Sequence, residues 1–112
     1  MDVQFAREGN ILIAAVSGRI DGGNAHEFAA SVERSSLQDD EAMIIDFAEV
    51  DYISSAGLRA ILVTAKRCKS VNSQFALCSL SEQIMTVFQV SGFDRIISIF
   101  PDRKDALASI TS

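Results

Sequence analysis

Short apolar runs alternate with amphipathic stretches along the whole chain, and the period of the pattern switches between two and nearly four. Val3 to Ala6 and Ile11 to Ser17 read as strands, parted by Glu8-Gly9-Asn10, the composition of a hairpin turn. Asn24 with Glu27 three residues on forms a capping-box pattern, and the helix it opens carries Phe28, Ala29 and Val32 on one face. Ala42 to Phe47 is an apolar run (Met43, Ile44, Ile45) broken only by Asp46, as expected of a strand covered on both faces. Leu58, Ile61, Leu62, Ala65 and Cys68 follow helical spacing, and Gln74 to Cys78 is again strand-like. Ser81 opens a third helix bearing Ile84, Met85, Val87 and Phe88, with Gly92 as its C-terminal cap. Ile96 to Phe100 predicts a last strand. Pro101-Asp102 starts a final helix with Ala106, Leu107 and Ile110 facing inward.

Two strands joined by a turn and followed by alternating helices and strands predict an α/β fold. The expected sheet is mixed, mostly parallel and five-stranded, with about four helices and an antiparallel edge supplied by the first strand. In such sheets functional groups gather where strands end and helices begin. Two loops qualify: Gly18-Arg19-Ile20-Asp21-Gly22-Gly23, and the longer stretch from Glu49 to Gly57.

Composition narrows the function. At 112 residues, 48% of them apolar, the chain fits one domain, residues 1–112, with a buried core. A net charge of −5 argues against nucleic acid, which rewards clusters of Lys and Arg. No apolar run is long enough to span a bilayer, and the opening Met1-Asp2-Val3-Gln4 has no secretory character, so a cytoplasmic protein is expected. Cys68 and Cys78 both sit in apolar patterns and read as buried reduced thiols. With one histidine, His26, and no Cys-x-x-Cys spacing, neither a metal site nor another cofactor is indicated. Gly22-Gly23 alone does not make a phosphate-binding loop.

The strongest chemical signal is Ser54-Ser55 immediately before the second helix. Either hydroxyl can cap that helix by accepting a free backbone N–H, or accept a phosphoryl group at a terminus that favours anions. Spacing alone does not choose between the two. A serine nucleophile is the third reading, but Gly-x-Ser-x-Gly is missing and nothing in the sequence brings His26 to Ser55 as a base. Arg19 and Arg59 read as solvated charges, and Asp21 as a brace for the loop before Asn24.

Asp46 to Leu58 (DFAEVDYISSAGL) resembles the central motif of the bacterial anti-sigma factor antagonists, the STAS-domain proteins. Val16 to Asp21, Phe88 to Phe93, and Ile99-Phe100 followed by Ala106-Leu107 resemble the family's other landmarks in order and spacing. The resemblance covers essentially the whole chain. It implies a non-enzymatic partner switch in transcription regulation, monomeric when alone. Its partners would be an anti-sigma factor that is also a serine kinase of the histidine-kinase-like ATPase type, and a serine phosphatase. The unmodified form would bind the kinase and free its other partner, and phosphorylation would end that binding. Aligned through Gly57-Leu58, the family's phosphorylated serine falls on Ser55, with Ser54 the competing acceptor. Asp21, Ser54, Ser55, Ala56, Gly57 and Leu58 would form the partner surface. The chain departs from the common pattern where Ser54 replaces an acidic residue and Ala56 a second serine. The resemblance also admits a scaffold or sensor-complex component, or a partner switch with a non-transcriptional output.

Overall fold

The computed structural model describes residues 1–111, with side chains through Ile110. Five strands and four helices follow in the order β1 (Asp2–Glu8), β2 (Ile11–Ile20), α1 (Ala25–Ser35), β3 (Ala42–Ile53), α2 (Ser55–Ser70), β4 (Gln74–Cys78), α3 (Glu82–Ser91), β5 (Ser98–Phe100) and α4 (Arg103–Thr111), with a short 3₁₀ turn at Phe93–Arg95. They make one sheet in the order β1-β2-β3-β4-β5. β1 is antiparallel to β2, and the remaining neighbours are parallel. The mixed, mostly parallel sheet with one antiparallel edge is as the sequence pattern predicts.

The strand order dictates where the helices go. Right-handed crossovers that always advance in one direction place their helices on the same face. α1, α2 and α3 accordingly share one side, closing a core of Leu12, Val16, Ile20, Phe28, Val32, Ile45, Phe47, Ile61 and Phe88. Phe47 and Phe88 meet edge to face, 6.1 Å between ring centres. α4 alone covers the other side, setting Ala106 and Ile110 against Ile11, Ile13, Ile44, Ala76 and Cys78. β3 feeds both cores by strict alternation: Met43, Ile45 and Phe47 face three helices, while Ala42 and Ile44 face α4. Asp46 continues that second face and binds Arg103 of α4 through Nε and a second guanidinium nitrogen, each at 3.0 Å.

Cys68 packs in the first core and Cys78 in the second, so the sheet stands between them and both thiols are free. Burial pushes the Cys68 thiol up and the Cys78 thiol to about 11.

Three local expectations change. β2 and β3 run on to Ile20 and Ile53, so most of the two expected loops is strand. β5 begins only at Ser98, because the 3₁₀ turn takes up the chain before it. The capping box at Asn24 does not form: its side chain makes no cap bond and instead accepts the Asp21 N–H (2.9 Å) and donates to the Arg19 carbonyl (2.9 Å). Ser81 does cap α3, accepting the Ile84 N–H at 3.2 Å, and Gly92 closes it.

Candidate functional site

The extended tails of β2 and β3 build the site. Register irregularities between Ala15 and Ser17, and between Gly18 and Arg19, re-aim the end of β2. Gly18 takes the left-handed backbone (φ +91°) that such a kink requires. Beyond it the strands pair again, Arg19 opposite Tyr52 and Ile20 opposite Ile53. The Ser54 N–H then donates to the Ile20 carbonyl at 2.9 Å, fixing the start of α2 against the end of β2.

Gly57 explains how close that approach is. A Cβ there would lie 2.7 Å from Ile53 Cγ1 and 2.9 Å from the Ile20 carbonyl oxygen. Only hydrogen fits, and α2 can therefore seat its first turn directly on the ends of both strands.

The two serines take different parts. Ser54 is the N-cap, half-buried, its Oγ accepting the Gly57 N–H at 3.2 Å. Ser55 is the first helical residue, exposed, and among the described residues its hydroxyl has no hydrogen-bond partner. Ala56 beside it is exposed, while Leu58 is half-buried and packs on the three-helix core. Asp21 sits across from the serines at the end of β2. Its Oδ1 accepts the Gly23 N–H at 2.9 Å and its carbonyl accepts the N–H groups of Asn24 and Ala25, so it braces the turn into α1. The structure thus brings Asp21, Ser54, Ser55, Ala56, Gly57 and Leu58 together on one pole.

Two features of this pole escaped the sequence reading. Arg19 lies over the Tyr52 ring, 4.1 Å from guanidinium carbon to ring centre, and reaches Asp21 at 3.9 Å. It is a positioned cation rather than a freely solvated one. The signal was present in Tyr52, but only the cross-strand register, invisible in sequence, sets the two opposite each other. The second feature is a shallow trough of about 300 Å³ between α1 and α2, lined by Ala25, Ala29, Ala56, Ala60 and Val63 with His26 and Arg59 beside them. Small residues there read as helix interior from spacing alone.

The hydroxyl of Ser55 meets no imidazole among the described residues, and no cluster there could hold a metal ion. Among the same residues no helix is long and apolar enough to cross a membrane.

Comparison with known proteins agrees with this architecture. The family model for the STAS domain matches residues 2–106. BtrV, a candidate anti-sigma factor antagonist of Bordetella bronchiseptica, is 36% identical over 91 residues, 81% of this chain and 76% of its own. The anti-sigma-B factor antagonist of Listeria monocytogenes is 29% identical over 84 residues, 75% of this chain and 74% of that one. Among solved structures, a candidate anti-sigma factor antagonist of Thermotoga maritima superposes with a TM-score of 0.93 at 22% identity, covering 98% of this chain and 95% of that one. The unphosphorylated anti-sigma factor antagonist SpoIIAA superposes at 0.83 and 17% identity, covering 98% and 96%. At such identities the structural likeness speaks for the fold.

Proposed function

Because the chain belongs to the STAS domain family, we propose that it is a cytoplasmic anti-sigma factor antagonist, a binding protein and not an enzyme, switched by phosphorylation of Ser55. In this reading the unmodified pole docks on an anti-sigma factor that is also a serine kinase, displacing the kinase's other partner. Phosphorylation releases it, and a phosphatase restores it.

The observation that carries the reading is the division of labour between the two serines. Ser54 spends its oxygen on the helix cap, so modifying it costs the fold a hydrogen bond. Ser55 stands exposed and unbonded, one residue on, and can be modified without disturbing the helix. A phosphate there adds roughly −1.5 to −2 charges at neutral pH. Pressed into an interface beside the carboxylates of Asp21 and Asp51, that charge meets both desolvation cost and like-charge repulsion. About 3 kcal/mol is enough to weaken binding a hundredfold, at 1.4 kcal/mol per decade.

The test is to incubate the pure protein with an anti-sigma factor of the serine-kinase type and ATP, then map phosphate by mass spectrometry. Modification at Ser55, absent from Ser55→Ala and accompanied by loss of kinase binding, is the expected result. No labelling while a control substrate is labelled would sink the switch.

A further inference from the structure

Helix α2 has a second trough on the flank away from α1. It lies between the C-terminal half of α2 and the β4–β5 edge of the sheet, with a volume of about 500 Å³. Leu62 and Phe75, half-buried, and Ile97, buried, form its floor. Ile96 stands at its rim with 67% of its surface exposed, an outlay of apolar area that the fold itself does not use.

Lys66 and Lys69 line the same trough, and both are exposed. Three residues apart on one helix, they are neighbours on its surface. Five arginines of the described residues pair with carboxylates, namely Arg7, Arg19, Arg34, Arg67 and Arg103. Neither lysine's ammonium group makes an ion pair or hydrogen bond among those residues. Two unneutralised ammonium groups beside an apolar floor, on a chain of net charge −5, are complementary to a surface that is both apolar and acidic.

We propose that this trough is a second docking surface, and that it takes an acidic amphipathic helix of a partner protein. Shape favours a helix over a small molecule. The trough runs beside α2 from Leu62 to Lys69, roughly 10 Å at 1.5 Å per residue, which accommodates about two turns of a docked helix. It is open along its length, whereas small-molecule sites bury about 70–90% of their ligand. Leucine-like side chains of the docked helix would fill the floor and cover Ile96, and its carboxylates would meet Lys66 and Lys69.

The surface does not rest on the Ser55 reading. Lys66 follows Ser55 by three helical turns, about 16 Å along α2. That is twice the screening length of about 8 Å at physiological salt, so charge placed at Ser55 is largely invisible to a ligand here. A partner held in the trough would remain bound in both states of the switch.

The experiment uses the full chain and a designed 16-residue helical peptide with leucines along one face flanked by glutamates. Its charge-reversed twin carries lysines in place of the glutamates. Amide shifts should map to residues 62–72, Phe75 and residues 96–98. Lys66→Glu combined with Lys69→Glu should weaken the acidic peptide at least tenfold, and the double variant should prefer the twin. Ile96→Asp, at an exposed position, should weaken binding at least fivefold with an unchanged melting temperature. Ser55→Asp should leave the affinity within twofold, which separates this surface from the phosphorylation site. Absence of saturable binding, shifts confined to the α1–α2 trough, or indifference to the charge swap would each overturn the proposal. So would self-association of the chain that Ile96→Asp abolishes, since a second copy would then be the occupant.

Discussion

A single hydrogen in place of a methyl decides whether the site can assemble. At Gly57 a Cβ would press on Ile53 from one side and on the Ile20 backbone from the other, and the backbone contact cannot move aside. Gly57→Ala should therefore cost about 1–3 kcal/mol, the usual range for overpacking, and lower the denaturant midpoint accordingly. The neighbouring serines should behave oppositely. Ser54→Ala removes the cap on α2 and should cost about 1 kcal/mol, whereas Ser55→Ala should stay within about 0.5 kcal/mol of the parent. Equal effects in chemical unfolding would mean that the two hydroxyls are not divided between folding and surface. Ser54-Ser55 could be read from the sequence as a helix start, but not which of the two caps it. That choice depends on the Ser54 N–H reaching the Ile20 carbonyl, a contact between residues thirty-four positions apart.

Elements were legible where one local pattern sufficed and blurred where pairing overrode it. Gln74–Cys78, the Ser81 cap and the Gly92 stop came from their own residues. The tails Gly18–Ile20 and Glu49–Ile53 look like loop because they hold glycine and charged residues, yet each supplies the other with a hydrogen-bonding partner and both become strand. Ile96 and Ile97 look like strand because they are β-branched, but the preceding 3₁₀ turn leaves Ile96 outside the sheet. Between elements, one ion pair ties α4 to the sheet. Asp46 is 10% exposed at its side chain and also accepts the Ala48 N–H at 2.9 Å, while Arg103 is 42% exposed. Arg103→Ala strands a nearly buried carboxylate. Its cost should fall between the roughly 0–1 kcal/mol of exposed pairs and the roughly 3–5 kcal/mol of broken buried ones, about 2 kcal/mol in a denaturant titration. A second pair pins the loop between α1 and β3: Arg7 of β1 binds Asp40 at 2.7 Å, and Asp40 also accepts the Leu37 N–H at 2.8 Å. Burial works to raise the Asp40 carboxyl, but the Arg7 hydrogen bond, the Leu37 N–H and the Arg7 charge outweigh it and hold it below its ordinary value of 3.8. A carboxyl lowered in the folded state stabilises above its unfolded pKa and loses that contribution as pH falls through the folded one. Asp40→Asn should therefore be less stable than the parent at neutral pH, and the gap should close below about pH 4. A gap that stays constant across the titration would assign the loss to packing instead.

At the scale of the whole molecule, everything that would make Ser55 a switch is arranged so that the fold need not notice it. The core is sealed by α1, α2 and α3 on one face and α4 on the other, and Ser55 contacts neither core. The phosphate would stand at the amino end of a sixteen-residue helix. Unbonded N–H groups and the helix dipole favour an anion there by about 0.3–1 kcal/mol. For a domain of this size 1 kcal/mol is worth about 4 °C in melting temperature. The phosphorylated protein should thus melt at the same temperature as the unmodified one or a few degrees above it, with unchanged far-ultraviolet circular dichroism, while its affinity for the kinase falls at least a hundredfold. Stability and binding would then move in opposite directions, which marks a switch that acts by surface charge. A switch acting by local unfolding of α2 would make them fall together, and melting curves of the two forms beside their binding isotherms decide between these mechanisms. The same comparison on Ser55→Asp isolates the role of charge magnitude, because one carboxylate supplies the favourable terminus with about half the phosphate's charge. If charge repulsion at the docked pole drives release, this variant should keep the thermal gain and lose only part of the affinity.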